Sequence, residues 1–266
     1  MSSRAEALMR KFSTLVTLLI FFCCPLAAQA EGSAPPGFRL SHLNASVEPV
    51  TDDGVTTFKI LPDDCSDVPY RPGDDESDCK MGSTKSQIYH EQMIKIGETV
   101  EYSFEILVDP AFDYPGAFRR GLESLPFAPG ARDSDLRIAG WEGPERKSFV
   151  FMMKLDATRG ITFQERVCAP PSAFGTWVKF TMKIRWEHNN KGWVHATCDD
   201  RTVWIEEGAA SARQAVCHMF NECRPGIVPN SKSFNFTLGL AMSGRGDDWK
   251  ETGFDSKFVE INRDSF

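Results

Sequence analysis

The chain has 266 residues, with 30 Lys and Arg against 37 Asp and Glu, a formal net charge of −7 at pH 7. With no basic run and no basic half, this balance argues against nucleic acid as a partner, and the mildly acidic surface chiefly serves solubility. No internal repeat or low-complexity linker divides the sequence, and its length suits a single sandwich domain.

Arg4, Arg10 and Lys11 form a positive start, residues 15–24 (LVTLLIFFCC) a short apolar run, and Ala28-Gln29-Ala30 a small-x-small end after Pro25. This is the pattern of a cleavable secretory signal over 1–30. The run is too short for a membrane anchor, since spanning a bilayer takes about 20 apolar residues. Phe21 and Phe22 occupy places where a lipoprotein signal ending at Cys23 or Cys24 would need small residues. The expected product is secreted or periplasmic and free of the membrane after cleavage. Residues 31–48, with Ala34-Pro35-Pro36-Gly37, read as a loose leader, and 49–266 as the folded domain. Of the eight cysteines, two leave with the signal, and an even remainder in an exported chain points to disulfides. Six cysteines allow fifteen pairings; proximity favours Cys65–Cys79, Cys168–Cys198 and Cys217–Cys223. A zinc site is the rival reading, but no CxxC pair or Cys/His spacing supports it.

Alternation dominates the rest of the chain. Tyr102, Phe104, Ile106 and Val108 take every second place, as do Phe149, Phe151, Met153 and Leu155. Val178, Phe180, Met182, Ile184 and Trp186 alternate with Lys179, Thr181, Lys183 and Arg185, and Phe234, Phe236, Leu238 and Leu240 repeat the pattern. Each is a half-buried strand. Weaker strands are expected over 55–60, 87–96, 161–168, 193–198 and 256–261. The turns at 188–192 and at Asp199-Asp200 predict a three-stranded meander over 176–205. Residues 209–219 could form one short helix. Many short strands separated by turns predict an all-β fold, a β-sandwich or jelly roll of antiparallel strands.

Several polar positions follow from the same periodicity. Lys85, Gln87 and Tyr89 share one face of a strand, and His90 must face the other way. Gln164 and Arg166 lie on a solvated edge or at a sugar site. Lys183 and Arg185 form either a wet surface or a rail for anionic sugar, with Arg185 suited to a carboxylate. His195 shares a face with Trp193, a pairing that suits pyranose stacking with proton transfer, although a half-buried structural histidine explains it too. The acidic cluster Asp63, Asp64, Asp67, Asp74, Asp75, Glu76 and Asp78 could hold Ca²⁺ or be a solvated loop; it lacks EF-hand spacing. Asn44-Ala45-Ser46 and Asn235-Phe236-Thr237 are glycosylation sequons.

Thr176-Trp177, a basic-alternating strand, Trp186, a Gly-containing turn and Trp193-Val194-His195 resemble the middle of the heparin-lyase-I-like polysaccharide lyases. Asp64-Cys65, Asp78-Cys79 and Lys85-Ser86-Gln87-Ile88 resemble that family's acidic, Cys-bearing loop leading into an R-S-E-L strand, and 239–258 its closing strands. The resemblance covers most of 50–260 and implies a concanavalin-A-like jelly roll that cleaves uronate-containing anionic polysaccharide by β-elimination. It places Lys85 and Gln87 at the R-S-E-L arginine and glutamate, and Gly140-Trp141-Glu142 at a Gln-x-His strand. The family's tyrosine near 238–240 has no counterpart here.

The candidate substrate-binding set is therefore Lys85, Gln87, Trp141, Glu142, Gln164, Arg166, Lys183, Arg185 and Trp193, with His195 or Tyr89 as base or acid. The expected partner is an anionic polysaccharide, with no cofactor and a monomeric protein. The missing glutamine, histidine and tyrosine motivate a rival, a carbohydrate-binding relative without catalysis. A hydrolase would need two carboxylates about 5–9 Å apart on one face, and no E-x-D-x-x-E strand is present.

Overall fold

A computed structural model describes residues 32–61, 64–70, 72–73, 75–81, 83–113, 136–142, 149–209, 233–243 and 252–264. Among these residues the chain forms two sheets. Sheet A runs in the order β1 (Phe38–Leu40), β4 (Ser83–His90), β14 (Ser233–Ser243), β7 (Leu136–Glu142), β8 (Phe149–Asp156), β9 (Gly160–Phe163) and β10 (Arg166–Ala169), with β5 (Ile94–Lys95) also pairing with β14. Sheet B runs β13 (Arg201–Ala209), β12 (Gly192–Cys198), β11 (Trp177–Arg185), β6 (Thr99–Val108), β15 (Thr252–Asp264), β3 (Val55–Ile60) and β2 (Val50–Asp52). The pairings among the described strands are antiparallel. The molecule is a β-sandwich of the jelly-roll kind. No helix of the described residues is long and apolar enough to cross a membrane.

Period two explains the layering. Val178, Phe180, Met182 and Ile184 of β11 are buried, as are Tyr102, Phe104 and Ile106 of β6 and Phe234, Phe236, Leu238 and Leu240 of β14. The inward faces meet in an aromatic core: the ring of Trp141 lies 5.0 Å from Phe236 and 5.4 Å from Tyr102, and Phe163 lies 5.1 Å from Phe180. Burying each such side chain stabilises the fold by roughly 1.5–3 kcal/mol, and aromatic pairing adds about 0.5–1.5 kcal/mol.

The predicted meander forms as β11, β12 and β13, with Lys183 opposite His195 and a left-handed two-residue turn at Asp199-Asp200 (φ 46° and 61°). The run 161–168 is not one strand. Gln164 and Glu165 adopt φ of 47° and 64° and reverse the chain between β9 and β10. Two non-glycine residues tolerate that conformation because the turn is tied down: Lys154 and Arg159 each reach Glu165 at 2.7 Å. The hydrogen bond from Lys154 first, and then that from Arg159, holds the Glu165 carboxyl below the ordinary glutamate range. The run 87–96 also divides, ending at His90 and resuming as β5. The short helix expected over 209–219 lies outside the described residues, except for Ala209, which closes β13.

Residues 31–48 are not a loose leader where they are described. Ser33 bonds to Pro49 and Thr51, β1 pairs with β4, and the N–H groups of Ser41 and Ala45 donate to the carbonyls of Gln87 and Lys85. This segment satisfies the edge of β4, which would otherwise present open hydrogen-bonding groups. Phe38 anchors it, with its ring 6.3 Å from Phe236. The expected disulfides Cys65–Cys79 and Cys168–Cys198 form; Cys217 and Cys223 lie outside the described residues. The second bond joins β10 of sheet A to β12 of sheet B.

Candidate functional site

Cross-strand partners share a face of a sheet, so the register assigns each polar side chain to one side of the sandwich. On the outer side of sheet A, Lys85, Gln87 and Tyr89 of β4 stand opposite Ala241, Gly239 and Thr237 of β14. Beyond β14, Arg137 of β7 is opposite Ala241, Gly140 opposite Thr237, and Glu142 opposite Asn235. Further on, Lys154 and Met152 of β8 are opposite Arg137 and Gly140. The centre of this face is small: Thr237, Gly239, Ala241 and Gly140. Larger side chains stand on both sides of it. Gly239 cannot be replaced cheaply, because at φ 120° an added Cβ would lie 2.3 Å from the Ser86 carbonyl and 2.7 Å from the Phe58 ring.

At one end of the face Lys85 is held rather than loose. Its ammonium pairs with Asp78 at 2.8 Å and lies 5.0 Å from the Tyr70 ring. The same carboxylate oxygen accepts bonds from the Tyr70 hydroxyl at 2.9 Å and the Ser83 hydroxyl at 2.8 Å. Burial, with smaller contributions from the Asp78 charge and its hydrogen bond, pushes the Tyr70 phenol up to about 12. Tyr70 therefore stays protonated as a donor to Asp78 near neutral pH and is unsuited to act as a base.

The outer side of sheet B carries the other candidates. Trp193 and His195 of β12 lie there with ring centroids 5.4 Å apart, and the His195 Nε2 contacts Glu207 of β13. Lys183 and Arg185 do not form a cationic rail. Lys183 is 4.0 Å from Glu101 of β6, Lys179 stands opposite Glu105, and Arg185 is 3.2 Å from Glu187. Alternating acids on β6 thus answer the bases on β11, as on an ordinary solvated sheet surface.

The two faces correct the composite site expected from the sequence. His195, Trp193, Lys183 and Arg185 point outward from sheet B, whereas Lys85, Gln87 and Tyr89 point outward from sheet A. The packed core separates them, and facing sheets stack about 10 Å apart, so no one sugar ring can touch both sets.

Trp141 also moves. It is wholly buried in the core among Phe236, Tyr102, Phe163 and Phe180 and cannot line a groove. Its neighbour Gly140 falls in register on the outer side of sheet A, as the alternation requires. Gln164 sits in the β9–β10 turn, and Arg166 lies over the Trp204 ring at 5.2 Å, at the seam where β10 meets β13. His90 occupies the inner side of β4, 5.2 Å from Phe38. Arg137 is the residue that periodicity did not bring forward; the alternation Leu136-Arg137-Ile138-Ala139 carried a weak signal for it, blurred by a bulge between Arg137 and Ala139.

Three acids of the loop are engaged in protein contacts: Asp64 binds Ser46, Asp75 binds Lys80 and Asp78 binds Lys85. Asp63 and Asp74 lie outside the described residues. Among the described residues no group of three or more His, Cys, Asp or Glu could hold a metal ion. Of the sequons, Asn44 accepts the Gln87 N–H at 2.8 Å with its amide nitrogen buried, and Asn235 falls on the outer face of sheet A.

No protein-family model matches the chain, and no curated protein matches it in sequence. Solved structures do resemble it in shape. An endo-β-1,4-glucuronan lyase from the fungus Trichoderma reesei aligns with TM-score 0.49 and 14% identity, over 89% of this chain and 91% of that one. The alginate lyase Aly36B, in complex with an alginate trisaccharide, aligns with TM-score 0.46 and 10% identity, over 84% and 88%. The metal-free carbohydrate recognition domain of Emp46p aligns with TM-score 0.39 and 10% identity, over 85% and 87%. At such scores the likeness decides nothing about chemistry.

Proposed function

We propose that this protein is an exported, lyase-like jelly roll that takes uronate-containing anionic polysaccharide on the outer face of sheet A and cleaves it by β-elimination. Export is inferred from the signal-like start together with the two disulfides. The reading of the site rests on one observation: Lys85, Gln87 and Tyr89 stand side by side along β4 against the small face of β14, with Arg137 beyond it.

Those side chains cover the needs of the reaction. In β-elimination a base removes the C5 proton of the uronate, the electron pair forms the C4–C5 double bond, and the C4–oxygen bond breaks. Negative charge builds on the carboxylate meanwhile, so donors must already face it. Gln87 and Arg137 are the proposed donors, since a guanidinium can grip a carboxylate through two parallel hydrogen bonds. Tyr89 is the proposed proton carrier. When proton and leaving oxygen depart from the same side of the ring, Tyr89 acting as the phenolate can take the proton from C5 and, as the phenol so formed, give it to the leaving oxygen, which restores the phenolate. His195 has no part in this scheme because it belongs to the opposite face.

A second reading is binding without cleavage. It is favoured by the pairing of Lys85 with Asp78 and by the absence, among the described residues of these strands, of a histidine directed outward from sheet A.

Incubation with alginate, glucuronan and glycosaminoglycans separates the two readings. Cleavage raises ultraviolet absorbance as unsaturated uronate forms, while binding on a glycan array with no such rise supports the second reading. If the first holds, Tyr89→Phe lowers turnover by about 10²–10⁴-fold at little cost in affinity, the range for loss of general acid–base catalysis. His195→Ala leaves turnover unchanged. Turnover lost in His195→Ala and kept in Tyr89→Phe would defeat the assignment.

A further inference from the structure

We propose that Asp78 is a positioning residue for Lys85, and that the loop closed by Cys65–Cys79 carries it, so that the cation at the end of the sheet A face is seated only while this disulfide is intact. This seating deepens the role proposed for that face, and its ligand arm rests on that role.

Asp78 is fully buried. A buried carboxylate is costly unless it is paired and hydrogen-bonded. Here one oxygen collects Tyr70, Ser83 and Lys85, at 2.9, 2.8 and 2.8 Å. Two of these donors belong to β4, and Tyr70 belongs to the loop, so the carboxylate pins loop and strand together. Lys85 keeps 17% of its side chain exposed, with the Tyr70 ring beside its ammonium. A lysine on a four-carbon stem ordinarily loses rotamer freedom when it grips a ligand, and fixing it beforehand removes that cost.

The loop has its own frame. Pro69 bridges Ser77, the Tyr70 N–H donates to Glu76, and the Cys79 N–H donates to Ser66. Asp78 and Cys79 begin the short helix α1 (Asp78–Met81), which leads into β4. The bond to Cys65 is therefore one residue from the carboxylate that holds Lys85.

The test uses the mature protein, Asp78→Asn, and Cys65→Ser combined with Cys79→Ser, each checked for folding by circular dichroism. The first readout needs no ligand: the rate at which an amine-acylating reagent modifies Lys85, followed by peptide mass mapping. Lys85 should react slowly in the natural protein and at least tenfold faster in both variants. The second readout is the Kd for polyglucuronate and for alginate. Asp78→Asn removes a negative charge beside an anionic ligand, so a purely electrostatic role predicts tighter binding. Positioning predicts binding about tenfold weaker, and the two changes together no worse than either alone.

Unchanged Lys85 acylation in the folded disulfide variant overturns the proposal. So does a folded Asp78→Asn protein that binds as well as the natural one or better. If the natural protein binds neither polymer, the role proposed for the face fails, while the acylation result still decides the seating of Lys85.

Discussion

Trp141→Ala should lower the free energy of unfolding by about 3–5 kcal/mol, the usual cost of emptying a large buried aromatic site. The side chain is wholly buried and touches both sheets: Phe163 at 6.1 Å and Phe236 at 5.0 Å from sheet A, and Tyr102 at 5.4 Å and Phe180 at 6.1 Å from sheet B. A domain of this kind has a total stability of only about 5–15 kcal/mol, so the loss is a large share of it. Trp141→Phe should cost less, because it keeps a ring and removes a buried indole N–H that has no hydrogen-bond partner among the described residues. Urea unfolding measures both. A Trp141→Ala protein of normal stability but weakened polysaccharide affinity would return this residue to the groove that the sequence suggested for it.

Removing the Cys168–Cys198 bond, by changing both residues to Ala, should destabilise the protein by roughly 3–4 kcal/mol, as the chain-entropy relation gives for a loop of this length. The two residues are 30 apart in sequence and hold β10 to β12, joining the two sheets at the seam where Arg201 also donates to the carbonyls of Val167 and Cys168. The natural protein should show a matching fall in Tm on reduction, read by scanning calorimetry with and without reductant. An unchanged Tm in the double variant would mean that the seam is held by packing and by Arg201 instead.

The strands were legible in the sequence because alternation is local. Val178 to Trp186, Tyr102 to Val108 and Phe234 to Leu240 each announce a buried face without reference to any other segment. The meander was legible for the same reason, since its turns join neighbours. Two of the three disulfides that proximity suggested, Cys65–Cys79 and Cys168–Cys198, form. Elsewhere the signal was weak or ran across the fold. Gln164-Glu165 lacks the glycine or asparagine that usually marks a two-residue turn, so the break between β9 and β10 was hidden. Residues 33–45 look unstructured because their partner, β4, lies some forty residues on. Trp141 was readable in principle: Gly140 and Glu142 were set at sugar-facing positions, and the residue between them must point the other way.

The sequence by itself therefore determined the all-β class, the inward side of each strongly alternating strand and the shared face of Lys85, Gln87 and Tyr89. All of these follow from a repeat of two residues along one strand. Only the tertiary structure decided which strands are neighbours and which sheet each face belongs to. It set Tyr89 and His195 on opposite sides of the core, brought Arg137 onto the face of Lys85, and placed the buried Asp78 carboxylate against Lys85. Strand pairing over long separations has no local code. It is selected by how the inner faces pack, and the outer faces are carried along with it.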